Sequence, residues 1–145
     1  MSQVEAFLTQ AEEEEIVAAI RQAEKNTSGE IRVHIEAQAK IDHFSRAQQV
    51  FVQLKMEATD DRNGVLIYVA VQDRKFVIYG DQGIDRAVPD GFWDSTKALM
   101  QQYFEQGQYK NGIVAGVLKA GEELKKHFPW EEDDINELSD EISKG

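Results

Sequence analysis

Asp60-Asp61-Arg62-Asn63 and Gly80-Asp81-Gln82-Gly83-Ile84-Asp85 hold the residue types best suited to chemistry in this chain. Between them lie two apolar runs, 64–71 and 75–79, separated by Gln72-Asp73-Arg74. That pattern predicts two β-strands joined by a tight turn. In an antiparallel hairpin the start of the first strand lies beside the end of the second. Asp60, Asp61 and Asn63 are therefore expected beside Gly80, Asp81 and Asp85. A parallel strand preceding them would bring Ser28, Gly29 and Glu30 to the same pole. Oxygen-rich loops of this kind suit a hard cation, and calcium takes six to eight carboxylate, carbonyl and water oxygens. The candidate metal ligands are Asp60, Asp61, Gly80 (through its carbonyl), Asp81, Asp85 and Glu30. The expected ion is Ca2+, with Mg2+ as the alternative. Gly80 and Gly83 are expected to let the backbone turn its carbonyls towards the ion. Arg62, Asn63 and Arg86 are candidates for holding a phosphate or for ion pairing. A second reading needs no ligand: Asp81 and Asp85 are loop and helix-capping residues, and Arg62 and Arg86 are their partners.

Other chemistries find less support. Counted from Asp81, the twelfth position of an EF-hand loop would be Phe92 rather than glutamate. Gly80 and Gly83 do not complete a dinucleotide fingerprint, and no P-loop is present. His34, His43 and His127 are not at metal-ligand spacing. The absence of cysteine excludes disulfides, thiolate metal sites and cysteine nucleophiles. No serine sits in a nucleophile elbow. A hydrolase built on these residues would have to be metal-assisted, with aspartates as ligands and base.

The elements that must position the pole follow from periodicity. Thr9 and Glu12 have capping-box spacing, and Ile16, Ala19, Ile20 and Ala23 make one apolar face of a helix that Asn26 to Gly29 stop. Ile31, Val33 and Ile35 alternate with Arg32, His34 and Glu36, which predicts a half-buried strand. Asp42 can cap a second helix whose face is Phe44, Ala47, Phe51, Leu54 and Ala58. Residues 65–71 are nearly all apolar and predict a central strand covered on both faces. The strand–helix–strand order favours a right-handed parallel crossover, so the sheet is expected to be mixed. Asp90 can cap a helix bearing Trp93, Leu99, Met100, Tyr103 and Phe104, ending at Gly107. A last helix is expected from about Tyr109 to His127. Its Gly112, Gly116 and Ala120 fall four apart and offer a smooth face, expected to lie on the sheet.

Length and composition bound the rest. At 145 residues with 41% hydrophobic content, a single domain with a proper core is expected. Acidic residues outnumber basic ones, 27 to 16, for a net charge of -11. This argues against nucleic acid or an anionic membrane surface as the main partner. The first residues lack a signal-peptide pattern and no apolar run is long enough to span a bilayer, so membrane insertion is not expected and a cytoplasmic protein is. From Trp130 onward the chain holds seven acids and one lysine. Such a tail can remain loosely ordered, with Ile135, Leu138 and Ile142 as possible anchors.

The ordered set Ser28-Gly29-Glu30-Ile31-Arg32-Val33, Arg62-Asn63-Gly64-Val65-Leu66-Ile67, Arg74-Lys75-Phe76 and Gly80-Asp81-Gln82-Gly83-Ile84 resembles the TPM domain family. The likeness continues through Phe92-Trp93, Phe104, Gly107, Tyr109 and Gly112 to His127-Phe128-Pro129 and the tail Asp134-Ile135-Asn136-Glu137-Leu138. It covers about residues 10 to 140 and looks nearest to a short, stand-alone bacterial branch. The family is named for a thylakoid lumen protein, a photosystem II repair protein and a worm receptor modulator. The resemblance implies a three-layer α/β/α sandwich with a mixed sheet of three to four strands. Residues 1–129 would form one TPM-like domain and residues 130–145 an acidic tail that can pack on it. It also implies a divalent-cation site, usually discussed as calcium, in the loops at one end of the sheet. Plant relatives are described as acid phosphatases. Many relatives carry a signal peptide and a membrane anchor, a pattern this sequence does not show. Two functions remain open: a divalent-cation-binding domain that acts as a binding or assembly module, with its protein partner unidentified, or a metal-dependent acid phosphatase acting on phosphomonoesters.

Overall fold

The computed structural model describes residues 7–59, 61–130 and 141–145. In chain order the elements are α1 (Gln10–Glu24), β1 (Glu30–Glu36), α2 (His43–Gln53), β2 (Gly64–Ala70), β3 (Lys75–Gly80), α3 (Gln82–Ala87), α4 (Asp94–Glu105), α5 (Tyr109–Lys125) and β4 (Ser143–Lys144). The sheet order is β3-β2-β1-β4. β1 and β2 run parallel, with Glu30 opposite Gly64 and Glu36 opposite Ala70. β3 is antiparallel to β2, with Val65 opposite Gly80. The expected mixed sheet and tight hairpin are therefore present.

Every residue of β2 is buried, because helices cover both faces of the sheet. On one face α2 packs Ala47, Val50 and Phe51 against Leu66, Tyr68 and Ala70. On the other, Ile16 and Ile20 of α1, Met100 of α4, and Ile113, Val117 and Leu124 of α5 cover Val33, Val65 and Ile67. This is the α/β/α sandwich. The capping box of α1 forms as its spacing predicts: Glu12 N–H donates to Thr9 Oγ1 and Thr9 N–H to Glu12 Oε1. Asp42 caps α2 through Ser45 N–H.

Several boundaries and faces differ from the sequence reading. β1 is buried on both faces, including His34 and Glu36; these two bond to each other and to Arg46, Tyr68 and Ser143 instead of facing water. α2 stops at Gln53, because Lys55 takes a left-handed conformation with φ 57°. Its inward stripe uses Val50 and leaves Phe44 58% exposed. Asp90 does not cap α4. The chain turns at Gly91, which has φ 77°, and the helix begins after Trp93 without a side-chain cap. At Gly112 and Gly116 the small face of α5 meets α4 rather than the sheet. A Cβ on Gly112 would lie 2.6 Å from Phe104, one on Gly116 2.5 Å from Met100 Sδ, and one on Gly121 2.7 Å from Ala23 Cβ.

The tail contributes a strand that periodicity does not reveal. Ser143 and Lys144 pair in parallel with His34 and Ile35. Ile142 packs against the core, while Ile135 and Leu138 lie outside the described residues. No helix among the described residues is long and apolar enough to cross a membrane.

Candidate functional site at the sheet pole

Sheet topology assembles the expected pole. The parallel β1–β2 pair starts where the antiparallel β3 ends, so Glu30, Gly64 and Gly80 lie side by side. The Asp61–Asn63 turn leads into β2 and Asp81 leads out of β3. The turn is held by Arg62 N–H donating to Thr59 O (3.2 Å), by Asn63 N–H donating to Thr59 Oγ1 (3.3 Å), and by Asn63 O accepting from Glu30 N–H (3.3 Å). Asn63 is buried and its Nδ2 donates to Ser28 Oγ at 3.3 Å. Ser28 and Glu30 thus reach the pole as expected from a parallel first strand.

The segment after β3 is not an open loop. Asp81 caps the short helix α3, accepting from Gln82 N–H at 2.7 Å. Its buried carboxylate, 4% exposed, also receives a two-pronged contact from Arg62. Nε donates to Oδ2 at 2.8 Å and Nη2 to Oδ1 at 3.1 Å. Paired forks of this kind are among the stronger charge-assisted contacts. Arg62 takes a left-handed conformation, φ 50°, and its side chain remains 41% exposed. The Asp81 carboxylate raises the guanidinium pKa. Both roles offered by the ligand-free sequence reading, cap and ion pair, are thus filled by Asp81.

The other candidates divide. Asp61 and Asp85 are exposed. Arg86 is exposed and donates to Gln82 Oε1 at 3.4 Å, within its own helix. Glu30 is buried at the start of β1. Asp60 lies outside the described residues. The glycines act differently from the conformational role expected of them, since neither adopts positive φ. A Cβ on Gly83 would lie 2.1 Å from Asp61 O and 2.6 Å from Arg62 O, so Gly83 is needed for a close backbone approach. A Cβ on Gly80 would make ordinary contacts at 3.4–3.5 Å with Ile84.

Among the described residues, no three His, Asp or Glu side chains form a preformed metal-ligand group. The hard oxygens at this pole are the Asp81 carboxylate and the turn carbonyls Asp61 O and Arg62 O beside Gly83, the latter already accepting from Gly83 N–H at 2.8 Å. Their chemistry suits Ca2+ or Mg2+ rather than a soft metal. A cation reaching the Asp81 oxygens must displace the Arg62 guanidinium.

A second cluster, at the far end of β1, was not anticipated. Glu36 accepts from Arg46 Nε and Nη2, both at 2.9 Å, and from the Tyr68 hydroxyl, and lies 3.1 Å from His34 Nε2. His34 Nδ1 lies 2.9 Å from Ser143 Oγ, which ties β4 to the cluster. Burial alone would raise the Glu36 pKa, but hydrogen bonds from Arg46, Tyr68 and His34 outweigh it and hold the carboxyl at about 2. Burial lowers the His34 pKa despite the neighbouring Glu36, and burial together with Glu36 raises that of Tyr68. The signal was the run Arg32-His34-Glu36 on one strand face, opposite an arginine on the crossover helix. This cluster fastens α2 and β4 to the sheet.

Comparison with known proteins places the fold. The family model described as TPM domain matches residues 1–123. The NMR structure of BA42 protein from the psychrophilic bacterium Bizionia argentinensis is similar at 59% identity and TM-score 0.93, covering 100% of both chains. The N-terminal domain of a protein from P. gingivalis is 20% identical, with TM-score 0.68 over 86% of this chain and 83% of that one. The N-terminal domain of cg2496 protein from Corynebacterium glutamicum is 14% identical, with TM-score 0.63 over 95% of this chain and 80% of that one. The last two share the fold alone. No protein of curated function matches.

Proposed function

This chain belongs to the TPM domain family, and on that premise we propose that it is a divalent-cation-binding module in which Ca2+ exchanges with Arg62 at Asp81. The observation that carries the reading is a 4% exposed carboxylate at the sheet pole, neutralised by a side chain that is 41% exposed. A buried carboxylate requires a positive partner. A guanidinium reaching in from the surface can leave without disturbing the core. Asp81 then supplies carboxylate oxygens, with Gly80 O, Asp61 and Asp85 as further donors from the flanking turn and helix. Asp60, next to Asp61 in the sequence, is a further candidate donor, and Glu30 lies buried at the adjoining strand end. Mg2+ is expected to bind more weakly or keep more water, because it demands tight octahedral geometry. Arg62 released from Asp81 changes the surface of the pole, which is how the ion would control assembly with a partner.

The hydrolase alternative asks more of the same residues. Arg62, the nearest cation that could hold a phosphate, is already engaged with Asp81. The chain's net charge of -11 also repels phosphomonoesters.

Thermal unfolding in calcium and in chelator tests the binding reading. Calcium at a hundredfold excess over its dissociation constant should add about 2.7 kcal/mol of stability. An unfolding midpoint that is the same in millimolar calcium and in chelator would overturn the reading.

A further inference from the structure

β3 is an edge strand: β2 lies on one side, and no strand among the described residues lies on the other. Asp81 N–H donates to Gly64 O across the ladder. The alternation of an antiparallel pair then turns the main-chain groups of Phe76, Ile78 and Gly80 outward. A groove of about 540 Å³ runs along this edge, walled by Phe44 on one side and by Lys97, Ala98 and Gln101 of α4 on the other.

The groove's charge is opposite in sign to that of the chain. The chain carries a net charge of -11, yet the charged residues lining the groove are Arg74, Lys75 and Lys97, all basic. None of the three is in an ion pair among the described residues. An edge lysine alone is the ordinary protection against unwanted strand pairing. Here the lysine stands beside Phe44, which is 58% exposed, and beside Phe76 and Val77, which are half-buried. Protection does not require a large aromatic held in water next to the edge. Strand addition can use both the edge and the aromatic: main-chain hydrogen bonds give affinity, and flanking pockets such as the one walled by Phe44 take alternate side chains.

We propose that the β3 edge receives an extended segment of a partner protein in which acidic and apolar residues alternate, added as a further strand of the sheet. Its apolar side chains would face the α2 side and pack on Phe44, which lies beside Tyr79. Its carboxylates would face the α4 side and meet Lys97, with Arg74 and Lys75 adding positive charge at the hairpin end of the groove. This deepens the binding-module reading by naming a surface and the kind of partner. It does not depend on the cation, so measurements in chelator and in calcium separate the two claims.

The test uses 15N-labelled full chain and two capped synthetic peptides, Glu-Val-Asp-Ile-Glu-Val and Lys-Val-Lys-Ile-Lys-Val. The acidic peptide should give saturable amide shifts confined to residues 74–80 and 97–101, and should slow hydrogen exchange at Phe76, Ile78 and Gly80. Added salt should weaken binding. The double variant Lys75→Glu, Lys97→Glu and the single variant Phe44→Ala alter exposed positions and should fold; each should weaken binding about tenfold or more, equivalent to about 1.4 kcal/mol. The proposal is overturned by no response to the acidic peptide at millimolar concentration, by an equal response to the basic peptide, or by shifts located elsewhere. It is also overturned if the three edge amides are already protected without peptide in a concentration-dependent manner, because a second copy of the chain then occupies the edge.

Discussion

Replacing Gly83 with alanine should destabilise the protein through a single backbone contact. A Cβ at this position would lie 2.1 Å from Asp61 O and 2.6 Å from Arg62 O. Carbon–oxygen contacts ordinarily begin near 3.3 Å. The turn must therefore retreat by about 1 Å. Overpacking of this kind costs about 1–3 kcal/mol. The retreat also stretches the bond from Gly83 N–H to Arg62 O, now 2.8 Å, for about 1 kcal/mol more. Against this, alanine is favoured over glycine in a helix by about 1 kcal/mol. The net loss expected is about 1–3 kcal/mol. Gly80→Ala is the control. Its nearest contacts would be 3.4–3.5 Å from Ile84, and a change within about 0.5 kcal/mol is expected. Neither glycine has positive φ, so backbone strain does not confuse the comparison. Urea denaturation measures both, and a lower midpoint at unchanged slope isolates stability. Gly83→Ala as stable as the parent, or Gly80→Ala equally damaged, would refute the close-approach argument.

Four further predictions follow from the packing, the buried charges and the pole. Glu36→Gln should destabilise the fold by about 2–3 kcal/mol, below the full cost of breaking a buried pair because Arg46 remains 24% exposed; chemical denaturation at neutral pH checks this. The Glu36 carboxyl is held at about 2 from an ordinary 4.5, so its stabilisation is complete above the unfolded value and is lost as pH falls from about 4.5 through about 2; acid unfolding of Glu36→Gln should lack that component. Gly121→Ala should cost more than Gly116→Ala, because the first strikes Ala23 Cβ at 2.7 Å and its backbone at 3.1 Å while the second strikes the flexible Met100 side chain; thermal midpoints rank them. Chromogenic phosphomonoesters with Ca2+, Mg2+ or Mn2+ should show weak or no turnover, and saturable turnover abolished by Asp81→Asn would favour the hydrolase instead.

Local signals in the sequence carried most of the fold. Thr9-to-Glu12 spacing, Asp42 before an amphipathic run, and the apolar stretch of β2 each report a short-range cause, and each formed as expected. The pole was legible for the same reason: hairpin geometry alone places Asn63 near Asp81. What escaped depends on contacts distant in sequence. Glu36 and His34 alternate like a solvent face, and only Arg46 and Tyr68, supplied by other elements, make them buried. β4 has no periodicity to detect, because its two residues are held by β1 rather than by propensity. Gly83 looked like a conformational glycine, yet its reason is the carbonyl of Asp61 across the turn. The roles of Asp81 as cap and ion-pair partner were legible as a possibility, but the two-pronged geometry with Arg62 was not.

The most direct test of the cation account is a calcium titration followed by 15N amide shifts on the parent, Asp81→Ala and Arg62→Ala. The parent should show saturable shifts concentrated at residues 61–64 and 80–85. Asp81→Ala should lose them. Arg62→Ala should bind calcium more tightly than the parent, because the competing guanidinium is gone. An unchanged spectrum at millimolar calcium, an Asp81→Ala response equal to that of the parent, or an Arg62→Ala variant that binds no better would contradict exchange at Asp81.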